Sequence, residues 1–246
     1  MARYKLTVSY DGTGFAGSQR QERRRTVQQE LEKALQPLGW KGSSTLWAGR
    51  TDAGVHAAGQ VAALDLEWNH STQALRDALN ARLPRDMAVV SVEAVEAGFH
   101  PRFDAAVRHY RYRVFCAEVR DPLRERTAWR ISPLSQPEML DRLAACFVGR
   151  HDFGAFGTAS RGGAATVREV RFSHWDRGLT DWYYDVAADG FLYRMVRRMV
   201  FVQVAIAQGK GSEAGLVQAL KQRALGRELP AGLAPANGLA LLKVEY

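Results

Sequence analysis

The sequence predicts an α+β protein built from two tandem ferredoxin-like β-α-β-β-α-β units with largely antiparallel sheets. Three observations carry this reading. Short segments alternate apolar and polar residues, the segments between them place apolar residues at helical spacing, and the second half of the chain repeats the element order of the first. A length of 246 residues allows two units, each large enough to bury a core. Residues 1–104 are assigned to the first and 105–246 to the second, with the join near Phe103 to Ala106.

Tyr4, Leu6, Val8 and Tyr10 alternate with Lys5, Thr7 and Ser9, the pattern of a half-buried strand. A turn-rich stretch from Asp11 to Arg25 follows. Thr26 with Gln29 forms a capping box, and Val27, Leu31, Ala34, Leu35 and Leu38 share one helical face. Thr45 to Ala48 and Gln60 to Leu66 are the next strands. Ser71 caps a helix carrying Leu75, Ala78, Leu79 and Arg82 until Pro84 stops it, and Met87 to Val95 closes the first unit. In the second half Val107 to Cys116 is a strand and Leu140, Leu143, Ala144 and Phe147 mark a helix after Pro137. Val167 to Trp175 and Trp182 to Ala187 are paired strands, Phe191 to Ala207 and Ser212 to Leu220 are helices, and Leu239 to Tyr246 is a closing strand.

Composition narrows the function classes. Hydrophobic residues at 46% and charged residues at 24% are those of an ordinary globular protein, which excludes disorder, collagen and coiled coil. The basic surplus is 34 Lys+Arg against 26 Asp+Glu, and only six of the 34 are lysine. Arginine's planar fork donates two parallel hydrogen bonds to a phosphate, so the surplus points to a polyanionic partner. Two cysteines without Cys-x-x-Cys spacing exclude a disulfide framework and a thiolate zinc site. His100, His109, His151 and His174 show no ligand spacing, so no metal is assigned. The longest charge-free apolar stretch, Met199 to Gly209, falls short of the ~18–20 residues that span a bilayer. No basic-then-apolar leader is visible, and the expectation is a cytoplasmic protein without membrane association.

Gly12-Thr13-Gly14-Phe15-Ala16-Gly17 matches G-x-G-x-x-G after a strand. A dinucleotide fingerprint must open a helix at its third glycine and place an acidic residue after the next strand. Here Arg20, Arg23, Arg24 and Arg25 intervene before the helix, so the segment reads as an irregular, glycine-permitted loop able to grip phosphates.

Gly49-Arg50-Thr51-Asp52-Ala53-Gly54-Val55-His56-Ala57 lies between two strands with glycines at its ends. Taken alone, Asp52 is an Asx-turn residue and Arg50 a solvated charge. The string as a whole resembles the catalytic loop of the tRNA pseudouridine synthase A family. Further motifs follow in that family's order: Tyr10-Asp-Gly-Thr-Gly-Phe-Ala-Gly, Leu79-Asn80-Ala-Arg-Leu-Pro84, Phe99-His-Pro-Arg-Phe103, Arg108-His-Tyr110-Arg-Tyr112, Phe191-Leu-Tyr-Arg-Met-Val-Arg197 and Gly238-Leu239. The resemblance covers nearly the whole chain.

That resemblance implies the pseudouridine synthase fold and the isomerisation of uridine to pseudouridine at nucleotides 38, 39 or 40 of the tRNA anticodon arm. The N-glycosidic bond breaks, the uracil turns, and a C–C glycosidic bond forms. Substrate and product are isomers, so no cofactor is expected. Asp52 matches the essential aspartate, and three roles are open to it: attack on the base, attack on the sugar, or removal of a sugar proton. Tyr110 matches the active-site tyrosine, able to stack on uracil and assist proton transfer, while Tyr112 has the same side-chain parity and fits a core position. Arg197 matches the basic residue paired with the aspartate. Arg50, Thr51, His56, Arg20, Arg24, Asn80, Arg82, Arg102 and Arg108 are the expected substrate and RNA contacts, with Arg23, Arg25 and Arg111 adding to the positive field. The family implies a homodimer. Two departures stand out: Ser18 where an aromatic residue is common, and a small, Gly-rich stretch from Phe156 to Ala165. The alternative is a non-catalytic RNA-binding protein on the same scaffold, although no RNP1-like string is present.

Overall fold

The computed structural model describes residues 1–159, 165–221 and 229–246. The chain divides into two compact units, Met1–Ala106 with Ala240–Tyr246, and Val107–Leu239. The α+β expectation holds: the described residues contain ten strands, paired mostly antiparallel, with five α-helices.

In the first unit β1 (Ala2–Tyr10), α1 (Val27–Leu35), β2 (Leu46–Trp47), β3 (His56–Leu66), α2 (Thr72–Asn80) and β4 (Met87–Val95) follow the predicted order. The strands lie β4-β1-β3-β2, each antiparallel to its neighbour, as the ferredoxin-like order requires. β1 buries Tyr4, Leu6, Val8 and Tyr10 and turns the intervening residues away, as its alternation dictates. Val27, Leu31, Ala34 and Leu35 of α1 and Leu75 and Leu79 of α2 join the core. Both helices start where a side-chain oxygen takes an orphan amide: Thr26 accepts from Gln29 N–H (3.4 Å) and Ser71 from Ala74 N–H (3.1 Å).

β3 begins at His56, four residues before the predicted start, because Ala57 continues the pairing with Tyr10 past a bulge. A second bulge interrupts β1–β4 between Thr7 and Val8. Both irregularities sit toward the end of β1 that feeds the glycine loop, where a bulge re-aims the chain.

The last strand differs from expectation. β10 (Leu239–Glu245) pairs in parallel with β3, matching Ala240 to His56 and Leu241 to Ala57, so the final seven residues group with the first unit. Chain order had assigned them to 105–246. Gly59 permits this approach, since a Cβ there would lie 2.3 Å from the Leu242 carbonyl oxygen.

The second unit comprises β5 (Val107–Cys116), β6 (Trp129–Ile131), α3 (Met139–Ala145), β7 (Gly149–Asp152), β8 (Val167–Arg177), β9 (Asp181–Ala188), α4 (Met195–Ala207) and α5 (Glu213–Lys221). Its strands run β5-β9-β8-β7 antiparallel, and β6 adds in parallel to the end of β5. β6 and β7 are three- and four-residue strands too short to show alternation. α4 starts four residues later than periodicity predicts. Tyr193 exchanges backbone hydrogen bonds with Thr158 (2.9 and 3.4 Å), and Arg194 takes a left-handed φ of 64° before the helix begins. A tertiary bridge thus overrides the helical preference of Phe191 to Arg194.

α4 is apolar nearly all round and most of its residues are buried. Its one buried amide, Gln203, is engaged at both ends: the carbonyl accepts the Trp175 indole N–H (2.8 Å) and the NH2 donates to the Met199 carbonyl (3.1 Å). No helix among the described residues is long and apolar enough to cross a membrane.

Replacing Gln203 with Leu leaves the buried Trp175 N–H without its acceptor. The expected loss is about 1–3 kcal/mol in urea unfolding, with the m-value unchanged.

Candidate active site

The glycine string and the Asp52 loop are one construction. After Tyr10 the chain enters a short 3-10 turn, Gly12–Gly14, capped by Asp11, whose Oδ1 accepts from Thr13 N–H (3.0 Å) and the Thr13 hydroxyl (2.6 Å). A Cβ on Gly12 would lie 2.1 Å from the Val55 carbonyl oxygen. Gly17 has a φ of +102°, and its Cβ would lie 2.9 Å from the Thr51 carbonyl oxygen. Both glycines are required, therefore, because backbone lies against backbone. Four further loop amides are engaged within the protein: Gly12 N–H on His56 Nδ1 (3.0 Å), Phe15 on Gly12 (3.0 Å), Ala16 on Arg25 (2.9 Å) and Ser18 on Thr51 (3.1 Å). The loop therefore braces residues 51–56.

Asp52 heads a tight turn in which Val55 N–H donates to the Asp52 carbonyl (3.2 Å) and Gly54 has φ +80°. A positive φ at the third position alone is the type II pattern, which explains the glycine. Asp52 is half-buried, Arg50 is exposed and Thr51 is buried. The Thr51 hydroxyl meets the Tyr10 hydroxyl at 2.8 Å. Burial pushes the Tyr10 phenol up to about 12, against hydrogen bonds with Thr51 and Gln60, so it stays protonated and anchors the loop as a neutral group. His56 Nδ1 accepts the Gly12 amide and lies 3.2 Å from Asp11 Oδ1. One nitrogen cannot accept the amide while donating to the carboxylate; the shorter amide bond and the two Thr13 donors on Asp11 favour the accepting tautomer. His56 and Thr51 both tie the loop down, a structural role that the sequence also left open for His56.

The arginines divide into two groups. Arg20 is ion-paired with Glu32 and donates to the Ser43 carbonyl (2.8 Å), and Arg25 forms a bidentate pair with Asp86 (2.7 and 2.8 Å) while lying 4.2 Å over the Phe15 ring. Arg111 is bidentate on Asp185 (2.7 Å twice), and Arg108 donates to the Asp189 carbonyl (2.6 Å). These guanidinium groups have structural acceptors. Arg24, Arg82 and Arg102 are exposed; Arg82 donates to the Ala78 carbonyl (2.8 Å), while Arg102 lies 5.9 Å from the centre of the exposed Phe103 ring. Asn80 is a stitch: its amide donates to the Val89 carbonyl (2.9 Å) and accepts Val89 N–H (2.8 Å), beside the β1–β4 bulge.

In the second unit Tyr110 and Tyr112 lie on β5, opposite Val186 and Tyr184 of β9. Tyr110 is half-buried, edge-on to Phe191 at 5.1 Å. Tyr112 is fully buried, donates to the Pro235 carbonyl (2.7 Å) and packs so tightly on Gly238 that a Cβ there would lie 2.5 Å from its ring. Burial pushes its phenol well up, and the positive charge of Arg197 opposes this only in part. The core position expected for Tyr112 is the one observed. Arg197, half-buried on α4, donates through Nε to the Ala234 carbonyl (2.8 Å), and Arg198 reaches the Pro230 and Gly232 carbonyls. Two consecutive arginines thus hold segment 230–234 against the helix. Of the Gly-rich stretch 156–165, residues 160–164 lie outside the described residues.

Among the described residues His174, Asp176 and Asp185 bring three ligand-type atoms within 4.8 Å of one another. The Arg111 guanidinium already occupies both oxygens of Asp185, which places a fixed positive charge at the cluster.

A family model described as tRNA pseudouridine synthase matches residues 6–104 and 143–246. The whole chain aligns with proteins named tRNA pseudouridine synthase A from several bacteria. Identity is 37% with that of Geobacter sp. strain M21 over 99% of its length. It is 39% with that of Limosilactobacillus fermentum over 96%, and 40% with that of Methylobacterium sp. strain 4-46 over 98%.

The Gly12→Ala variant forces the loop off residues 54–55 and is expected to cost about 1–3 kcal/mol in chemical denaturation. Hydrogen bonds from Arg25 hold the Asp86 carboxyl below its usual range, despite partial burial. A depressed folded pKa contributes stability above the unfolded pKa that is lost as pH falls through the folded one. Asp86→Asn should therefore flatten the fall in stability between about pH 5 and pH 2, measured by urea unfolding at each pH.

Proposed function

Because the chain belongs to the tRNA pseudouridine synthase family, isomerases that convert uridine in tRNA to pseudouridine, we propose that it acts at nucleotides 38, 39 or 40 of the anticodon arm with Asp52 as the essential residue. The observation that carries this is the Asp52 turn. Gly12 and Gly17 pack against its backbone, the Tyr10 hydroxyl meets that of Thr51 and His56 accepts the Gly12 amide, while the aspartate itself stays half-buried and the adjacent Arg50 stays exposed. A carboxylate on a braced turn reaches a reacting group with little reorganisation.

The chemistry sets the roles. The N1–C1′ bond must break and a C5–C1′ bond form, after which the C5 hydrogen leaves and N1 carries a proton. Asp52 acts ionised, on the base or on the ribose. Tyr110 provides the proton transfer that completes the product, its half-buried ring offering a face for uracil. Arg197 supplies compensating positive charge for the carboxylate. Arg50 faces the RNA and supports the nucleotide extruded from the stem, because a base inside a helix is out of reach of a protein carboxylate. Arg24, Arg82 and Arg102 contact phosphates, and their surplus charge makes binding weaken with salt. The working form is a homodimer in the cytoplasm, testable by sedimentation at micromolar concentration.

Tritium release from unmodified tRNA transcripts labelled at uracil C5 tests the reading, since bond formation at C5 expels that hydrogen. Wild type should release tritium, Asp52→Asn should release none while still binding tRNA, and transcripts without uridine at 38–40 should be inert. Wild-type release from transcripts lacking those uridines would sink the position assignment. Absence of release from any transcript, with binding retained, would leave an RNA-binding protein on this scaffold. Tyr110→Phe should slow release by about 10²–10⁴-fold, the usual scale of a lost general acid or base, whereas Tyr112→Phe should mainly lower stability, by about 1 kcal/mol.

A further inference from the structure

We propose that Ser18 is a positioning residue for the Asp52 turn, its side-chain oxygen fixing the backbone of the residue immediately before the aspartate. The inference rests on the catalytic reading of Asp52. Ser18 is only 2% exposed, and both main-chain groups of Thr51 meet it. Thr51 N–H donates to Ser18 Oγ (2.8 Å) and Ser18 N–H donates to the Thr51 carbonyl (3.1 Å). The remaining polar group of Thr51, its hydroxyl, is held by Tyr10. Every hydrogen-bonding group of Thr51 is thereby engaged, and the peptides on both sides of Thr51 are each held by Ser18.

Ser18 is itself anchored. Its carbonyl accepts Gln28 N–H (3.0 Å) and the Gly17 carbonyl accepts Val27 N–H (3.3 Å), so residues 17 and 18 sit on the first turn of α1. The helix thus reaches the Asp52 turn through Gly17, which packs against its backbone, and Ser18, which hydrogen-bonds to it. Only one of these links needs the side chain: α1 is held by main-chain carbonyls and capped by Thr26, whereas the Thr51 amide depends on the serine oxygen. A buried N–H without an acceptor is costly, so losing that oxygen moves Thr51 rather than the helix. The site also limits residue size, since Gly17 already lies with its backbone against Thr51 to Ala53.

Ser18→Ala removes this one hydrogen bond and leaves every main-chain link to α1 in place. Single-turnover tritium release should fall about tenfold to a hundredfold, the scale of a small displacement of a catalytic group, with KM for tRNA within twofold of wild type. Amide hydrogen exchange gives a reading independent of activity: the Thr51 amide should exchange faster in the variant, while the Gln28 amide keeps its protection. A wild-type release rate, a KM that rises by the same factor as the rate falls, or unchanged Thr51 exchange would each overturn the proposal. Asp52→Asn measured alongside separates the two readings. Inactive Asp52→Asn with fully active Ser18→Ala sinks the role of Ser18 alone, whereas active Asp52→Asn removes the catalytic reading and this proposal with it.

Discussion

The close backbone approach of the glycine loop to residues 51–55 is the constraint on which the first unit's site depends. At Gly12 and Gly17 a single added carbon would collide with a main-chain carbonyl, so loop and turn can move only together. Around that contact the polar groups close on one another: Gly12 with His56, Ser18 with Thr51, Thr51 with Tyr10. Low local dielectric strengthens such a network when every member is satisfied. The ferredoxin-like sheet serves it directly, because β1 ends at Tyr10 and β3 begins at His56, and the two bulges of β1 lie toward that end.

Part of the arginine surplus is used inside the fold. Arg20, Arg25 and Arg111 pair with carboxylates, while Arg197 and Arg198 donate to backbone carbonyls, all within the fold. These pairs satisfy buried or half-buried acids and carbonyls that a lysine's single point charge would hold with less geometric definition. Arg24, Arg50, Arg82 and Arg102 are exposed. Net charge therefore indicates the class of partner, whereas the division between structural and solvent-facing arginines depends on where the acids lie.

The two tyrosines of β5 show how little separates a core residue from an accessible one. Tyr110 and Tyr112 are two residues apart on the same side of the strand, yet Gly238 and the Pro235 carbonyl enclose Tyr112, while Tyr110 stays half-buried, edge-on to Phe191. Burial makes the Tyr112 hydroxyl a poorer acid and its bond to Pro235 a structural one.

Local pattern by itself determined the strands and helices of the first unit, the caps at Thr26 and Ser71, and the α+β class, because alternation and capping are encoded within a few residues. Motif order determined the family, and with it tRNA as the substrate and pseudouridine as the product. Tertiary structure decided what depends on residues distant in sequence. It moved the closing strand to β3, delayed α4 through the Tyr193–Thr158 bridge, and turned Asn80 into a stitch on Val89. It also made the glycine string a brace for the Asp52 turn. No local signal could reveal that, since the groups it packs against lie more than 30 residues further along the chain.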